Sequence, residues 1–200
     1  QGRLDGKNYL LSIAGGAGST YVSHTELKKI SAIVNYAIIM TYDLHGTWDT
    51  YTDFNAPLYT PPEFSPQYKT SVNTTVQGWL NAGFSASKLV LGVPFYGYMY
   101  NNVANSGDGL YKTFTKASSV SYDKIVATYL PNSSYTRRFH PDAKVPWLFN
   151  GSSFITYDDE ESIAAKAAYV KSKGLAGVGI WEISQNKNGV LLNSILANIQ

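Results

Sequence analysis

Residues 36–49 read YAIIMTYDLHGTWD. An almost wholly apolar run, Tyr36 to Met40, ends in Tyr42 and Asp43, and Gly46, Trp48 and Asp49 follow. A strand covered on both faces reads as a continuous apolar run rather than an alternating one. A phenol, a carboxylate and an indole beyond such a run fall outside the core pattern. They raise the expectation that this strand end serves a site.

Three other runs have the same character: YLLSIA (9–14), KLVLGVPF (88–95) and GVGIWEIS (177–184). Helical patterns lie between them. TELKKISAIVNY (25–36) sets Leu27, Ile30, Ile33 and Val34 on one face. SPQYKTSVNTTVQGWLNAG (65–83) offers Val72, Val76, Trp79 and Leu80 and closes on Gly83 in the C-cap position. DDEESIAAKAAYVKSKG (158–174) begins with acids and ends with Lys171, Lys173 and Gly174, which suits the helix dipole at both ends. GVLLNSILANIQ (189–200) reads as a last helix, and QGRLDGKNYLL at the start as a helix-to-strand connection. The β-α alternation predicts an α/β fold with parallel strands and right-handed crossovers. The crossover from Phe95 to Tyr157 is too long to be structureless and reads as a small α+β insertion.

Four βα units suit half of a (β/α)8 barrel or most of a doubly wound sheet. The doubly wound fold wants a GxGxxG turn after its first strand. Gly15, Gly16 and Gly18 in SIAGGAGS lack that spacing. In a barrel, functional residues gather at the C-terminal strand ends. Here those ends are GGAG, TYDLHGTWD, PFYGYMY and WEISQN, and all but the first set aromatics beside polar groups.

The composition narrows the function classes. At 44% hydrophobic and 15% charged, the 200 residues can bury a core, as one domain or a piece of a larger one. The net charge is +2 with no Lys/Arg cluster, so no nucleic-acid partner is expected. No run approaches the roughly 18 apolar residues of a membrane span, and no signal peptide is evident. With no cysteine there is neither a disulfide nor a thiolate site. His45 and His140 stand alone, His24 sits near a helix start, and no pair has metal spacing. Neither metal nor cofactor is expected. Aromatics make up 14% of the chain, many in polar or Gly-rich stretches. Aromatic faces stack on the apolar C–H faces of sugar rings, so carbohydrate is the ligand class suggested.

At its strand ends the chain resembles family 18 of the glycoside hydrolases, the chitinases. MTYDLHGTWD (40–49) is similar to the family's sixth-strand motif, KLVLGVPFYGYMY (88–100) to the seventh, GVGIWEISQN (177–186) to the eighth, and NYLLSIAGGAG (8–18) fits the fifth. The resemblance implies a TIM-barrel type fold, with strands 5 to 8 and their helices in residues 1–96 and 158–200, and the family's insertion in 97–157. It implies hydrolysis of β-1,4 bonds between N-acetylglucosamine units by a retaining, substrate-assisted route, in which the substrate's own acetamide oxygen attacks C1. Tyr42 then donates to that oxygen, and Asp43 holds polar groups of the sugar at the cleavage point. Met40 shapes the pocket, Trp181 forms its floor, Trp48 stacks a sugar on the leaving-group side, and Tyr96 lines the cleft. Tyr98 stands where many relatives carry Arg. By strand parity Met40, Tyr42 and Trp181 point inward and Glu182 outward, so Glu182 is rejected as an acid. Each residue also has a purely structural alternative: Met40 and Tyr42 in the core, Asp43 as a cap, Trp48 as a loop anchor. YDDEES (157–162) is read as a charged helix start, not a carboxylate site.

The family's general acid ends an Asp-x-x-Asp-x-Asp-x-Glu motif, which this sequence lacks. The expectation is therefore a chain inactive alone, whose partners are chitin or chitooligosaccharides and the N-terminal barrel half, with self-pairing through open sheet edges as the alternative. The other functional classes are a non-catalytic chitin-binding, lectin-like relative and a peptidoglycan or endo-β-N-acetylglucosaminidase of the same fold. A secreted, bacterial origin is implied.

Overall fold

The computed structural model describes residues 9–199. The connection expected over QGRLDGKN lies outside them. The chain forms β1 (Ser12–Gly15), α1 (Ser19–Ser23), α2 (Leu27–Ile33), β2 (Tyr36–Ile39), α3 (Val72–Asn81) and β3 (Leu89–Pro94). Then follow β4 (Tyr96–Asn101), β5 (Lys116–Ser121) and α4 (Tyr122–Lys124), which runs on as a π-helical turn. After these come β6 (Thr136–Phe139), β7 (Pro146–Phe149), β8 (Ser153–Thr156), α5 (Glu160–Ser172), β9 (Gly177–Trp181) and α6 (Val190–Ile199).

Two sheets result. The first is parallel, in the order β1-β2-β3-β9. The second is antiparallel, in the order β5-β4-β8-β7-β6. The alternation of apolar runs and helices thus yields the expected parallel strands. No barrel closes among the described residues; β1 and β9 are the edges of the parallel sheet. Among the described residues no helix is long and apolar enough to cross a membrane.

The element ends differ from the sequence reading for local reasons. β1 starts at Ser12 rather than Tyr9 because its ladder begins opposite Tyr36, the first residue of β2. β2 stops at Ile39 because Thr41 turns back, its N–H donating to the Ile39 carbonyl and its hydroxyl to the Gly92 carbonyl. The 65–83 pattern is helical only from Val72, where Ser71 caps the start by accepting the Thr74 N–H. Ile33 is 69% exposed, not packed with Leu27 and Val34. It lies six residues past Leu27, off the i, i+3, i+7 stripe. His24 caps the end of α1, three residues before α2 begins at Leu27.

The acidic run at 157–162 is the charged helix start expected, with one member turned inward. Asp159 does cap α5, accepting the Glu161 and Ser162 N–H groups. Asp158 instead points inward and forms a fully buried ion pair with Lys166, 2.5 Å apart, with the Ser162 hydroxyl on the same oxygen. Burial pushes Asp158 up and Lys166 down, and their mutual attraction opposes both shifts. Lys166→Met would leave that carboxylate buried without its counter-charge. We expect a loss of about 3–5 kcal/mol in urea unfolding. Recovery of most of it by adding Asp158→Leu would be consistent with the pair, and a loss below about 1 kcal/mol would contradict it.

Candidate active site

The C-terminal ends of β2, β3 and β9 lie side by side, and β4 leaves from the end of β3. The Phe95 N–H, between β3 and β4, donates to the Trp181 carbonyl at 2.7 Å. This bond ties the end of β9 to the start of the antiparallel sheet. Tyr96 and Tyr98 alternate with Gly97 on β4 and so share one face. A Cβ at Gly97 would stand 1.9 Å from the Thr156 carbonyl oxygen. Only glycine lets β4 and β8 pair this closely while both tyrosines turn to the site.

Those two phenols converge on Asp43. Tyr96 Oη donates to Asp43 Oδ1 at 2.5 Å, and Tyr98 Oη to the same oxygen at 2.7 Å. Asp43 itself has φ +56°, a left-handed backbone uncommon outside glycine. The strain is held by Asn55, whose side-chain oxygen accepts the Asp43 N–H at 2.8 Å. Burial and the Asp43 hydrogen bond push both phenols well above the usual tyrosine range, so they remain donors. Tyr42 is raised too, by burial and then by the Asp43 charge.

A cavity of about 270 Å³ opens beside this cluster, lined by Asp43, Tyr96, Tyr98, Ser119, Val120, Ser121, Trp181 and Gln185. Trp181, 59% exposed, presents its indole there. Tyr42 reaches the cluster edge-on to Tyr96, with ring centroids 6.2 Å apart. Trp48, 61% exposed, stands edge-on to Tyr98 at 5.8 Å. Met40 is 36% exposed and does not line this cavity. Glu182 does not line it either; its Oε1 accepts the Ser184 hydroxyl and the Gln185 amide.

The structure therefore gathers Asp43, Tyr96, Tyr98 and Trp181 around one cavity, with Tyr42 and Trp48 in ring contact with its walls. Sequence reasoning missed Asn55, Ser119, Ser121 and Gln185. It also took His45 and His140 as isolated, whereas both are buried beside carboxylates: His45 by Asp49 and Asp53, His140 by Glu63. The arrangement offers a carboxylate held by neutral donors, with aromatic faces and hydroxyls around it. That suits a neutral, polyhydroxylated ligand with apolar faces.

The sequence profile of the glycosyl hydrolases family 18 matches residues 1–186. The chain is 46% identical over 213 aligned residues to Chitinase A1 of Niallia circulans, covering 99% of this chain and 30% of that protein. In structure it is similar to a glycoside hydrolase family 18 N-acetylglucosaminidase from Paenibacillus barengoltzii, with a TM-score of 0.92, 34% identity, and coverage of 98% of this chain and 58% of that one. It is also similar to a chitinase-like agglutinin from Robinia pseudoacacia, with a TM-score of 0.84, 30% identity, and coverage of 98% of this chain and 56% of that one. The chain thus spans less than two thirds of the length of these relatives.

Because Tyr96 and Tyr98 share one acceptor oxygen, their substitutions should not be additive. A double-mutant cycle of Tyr96→Phe and Tyr98→Phe, read by chemical denaturation, is expected to give a coupling of roughly 0.5–3 kcal/mol. Strict additivity would mean that the two phenols do not meet on Asp43.

Proposed function

The chain belongs to family 18 of the glycosyl hydrolases, and on that premise we propose that it is the part of a chitinase that holds the sugar at the cleavage point. The observation that carries this reading is the convergence of the Tyr96 and Tyr98 phenols on Asp43 Oδ1 beside a cavity edged by Trp181. Oδ1 is occupied by the two phenols, which leaves Oδ2 as the acceptor for polar groups of an N-acetylglucosamine unit. Tyr42 donates its hydroxyl to the acetamide oxygen as that oxygen attacks C1. Trp181 floors the sugar ring, and Trp48 stacks the sugar on the leaving-group side. Chitin or a chitooligosaccharide is the substrate in this reading, and the protein is extracellular.

In the same reading the parallel sheet is strands 5 to 8 of the barrel, in residues 1–96 and 158–200, and the antiparallel sheet is the family's insertion, residues 97–157. The edges β1 and β9 meet the other barrel half, which supplies the glutamate that protonates the leaving oxygen. The family's Asp-x-x-Asp-x-Asp-x-Glu motif does not occur in this sequence. A second reading is favoured by the similarity to a chitinase-like agglutinin: the same pocket binding chitooligosaccharide without cleaving it.

The test is release of reducing ends from an N-acetylglucosamine hexamer. The chain alone is expected to release none, and adding the N-terminal barrel half should restore turnover. In that restored enzyme Tyr42→Phe or Asp43→Ala should lower kcat about 10²-fold or more. Binding without turnover after restoration would favour the lectin-like reading. Turnover by the chain alone would overturn the account of the general acid.

A further inference from the structure

We propose that His45 is a positioning residue: held between Asp49 and Asp53, it locks the turn that lays the Trp48 indole against Tyr98, a donor to Asp43. The imidazole is 4% exposed, beneath a turn whose indole is 61% exposed. Its Nδ1 lies 3.2 Å from Asp49 Oδ2, and its Nε2 lies 3.6 Å from Asp53 Oδ2. The Gln67 amide also approaches Nδ1, but it already donates to the Tyr51 carbonyl and to Asp53. The proton on Nδ1 is therefore assigned to the bond to Asp49.

One oxygen carries the lock outward. Asp49 Oδ2 accepts both His45 Nδ1–H and the Gly46 N–H, the latter at 2.9 Å, and the Asp49 N–H closes the turn on the Gly46 carbonyl at 3.1 Å. A Cβ at Gly46 would lie 2.4 Å from the Trp48 ring, so the indole rests against this turn's backbone. The same indole meets Tyr98, which donates to Asp43. From buried imidazole to exposed indole the path runs through the Asp49 carboxylate and the Gly46 backbone, each in contact with the next.

The surroundings favour an imidazolium. Asp53 is fixed by the Phe54 N–H and by Gln67. Lys69 and Tyr111 share the small space around His45 and Asp53. The Lys69 ammonium is drawn to the Glu63 carbonyl, and burial keeps the Tyr111 phenol neutral. Burial works against the charge on His45, but the Asp49 hydrogen bond and the charges of Asp53 and Asp49 outweigh it and hold the imidazole above its ordinary value of 6.5. A raised folded-state value means that the ion-pair contribution to stability is complete below the ordinary histidine value and is lost as pH rises through the raised one, while a neutral imidazole with its proton on Nδ1 still donates to Asp49.

The test is an NMR titration of the intact chain that follows the His45 ring and the contact between the Trp48 and Tyr98 rings. His45 should titrate above 6.5, and the ring contact should persist through the titration, because the neutral imidazole keeps its Nδ1 proton on Asp49. His45→Asn, whose amide can donate to Asp49 without titrating, should keep the contact across the whole range. His45→Ala should lose it at every pH. A folded His45→Ala chain with the contact intact would overturn the proposal. Should that variant not fold, a folded His45→Asn chain that lacks the contact would overturn it. The consequence for glycans rests on the proposed sugar site: in the restored enzyme His45→Ala should raise KM about 2–10-fold with little change in kcat, and His45→Asn should recover it. A restored enzyme without hydrolysis, but with the histidine-linked ring contact present, would refute the glycan reading and leave the positioning role intact.

Discussion

The side chain and backbone of Asn55, 1% exposed, hold the two sheets in register with each other. Its side-chain oxygen accepts the Asp43 N–H, its carbonyl accepts the Leu44 N–H, its amide donates to the Tyr96 carbonyl, and its own N–H donates to the Thr156 hydroxyl. These partners belong to the loop after β2, the start of β4 and the end of β8. A buried amide satisfied on every side fixes geometry more sharply than apolar packing does, because a displaced partner is left unpaired at a cost of about 1–3 kcal/mol. The positive φ of Asp43 persists under that constraint.

The cavity is therefore built at a seam rather than within one sheet. The parallel strands bring the backbone of Tyr42, Asp43 and Trp181 to one end, and the antiparallel sheet covers that end with Tyr96, Tyr98, Ser119 and Ser121. The seam rests on close approaches that only glycine permits. At Gly92 a Cβ would stand 2.5 Å from the Ile39 carbonyl and 3.0 Å from the Tyr42 ring. Side chains at Gly92 and Gly97 would push apart the strands that meet on Asp43.

The parallel strands were legible because burial on both faces leaves a continuous apolar signature, and the helices because Val72, Val76 and Trp79 follow a 3.6-residue stripe. Strand ends were not, since a ladder stops where its partner stops, and β1 answers to Tyr36 rather than to its own composition. Tyr42, Asp43 and Trp181 stand out as polar or aromatic residues just past apolar runs. Asn55 does not: it sits in DFNAP, a loop-like stretch, and its importance comes from partners up to 101 residues away. Asp158 hides in a run of acids whose other members are solvated or capping, so composition conceals the one carboxylate that turns inward. His45 hides likewise, because the spacing to Asp49 suggests only an ordinary i, i+4 neighbour, while Asp53 and Gln67 arrive through the fold.

The choice of partners for Asp43 has an electrostatic consequence. An arginine in contact with a carboxylate neutralises it and settles into a salt bridge. Phenols donate hydrogen bonds while leaving the negative charge in place, and the raised ionisation of Tyr96 and Tyr98 keeps them neutral donors. In the proposed substrate-assisted reaction, positive charge grows on the sugar as the acetamide oxygen closes on C1. A carboxylate held by the Tyr96 and Tyr98 phenols, rather than by a cation, faces that developing charge without a competing positive partner. It is held in place by groups that need not reorganise as the charge appears.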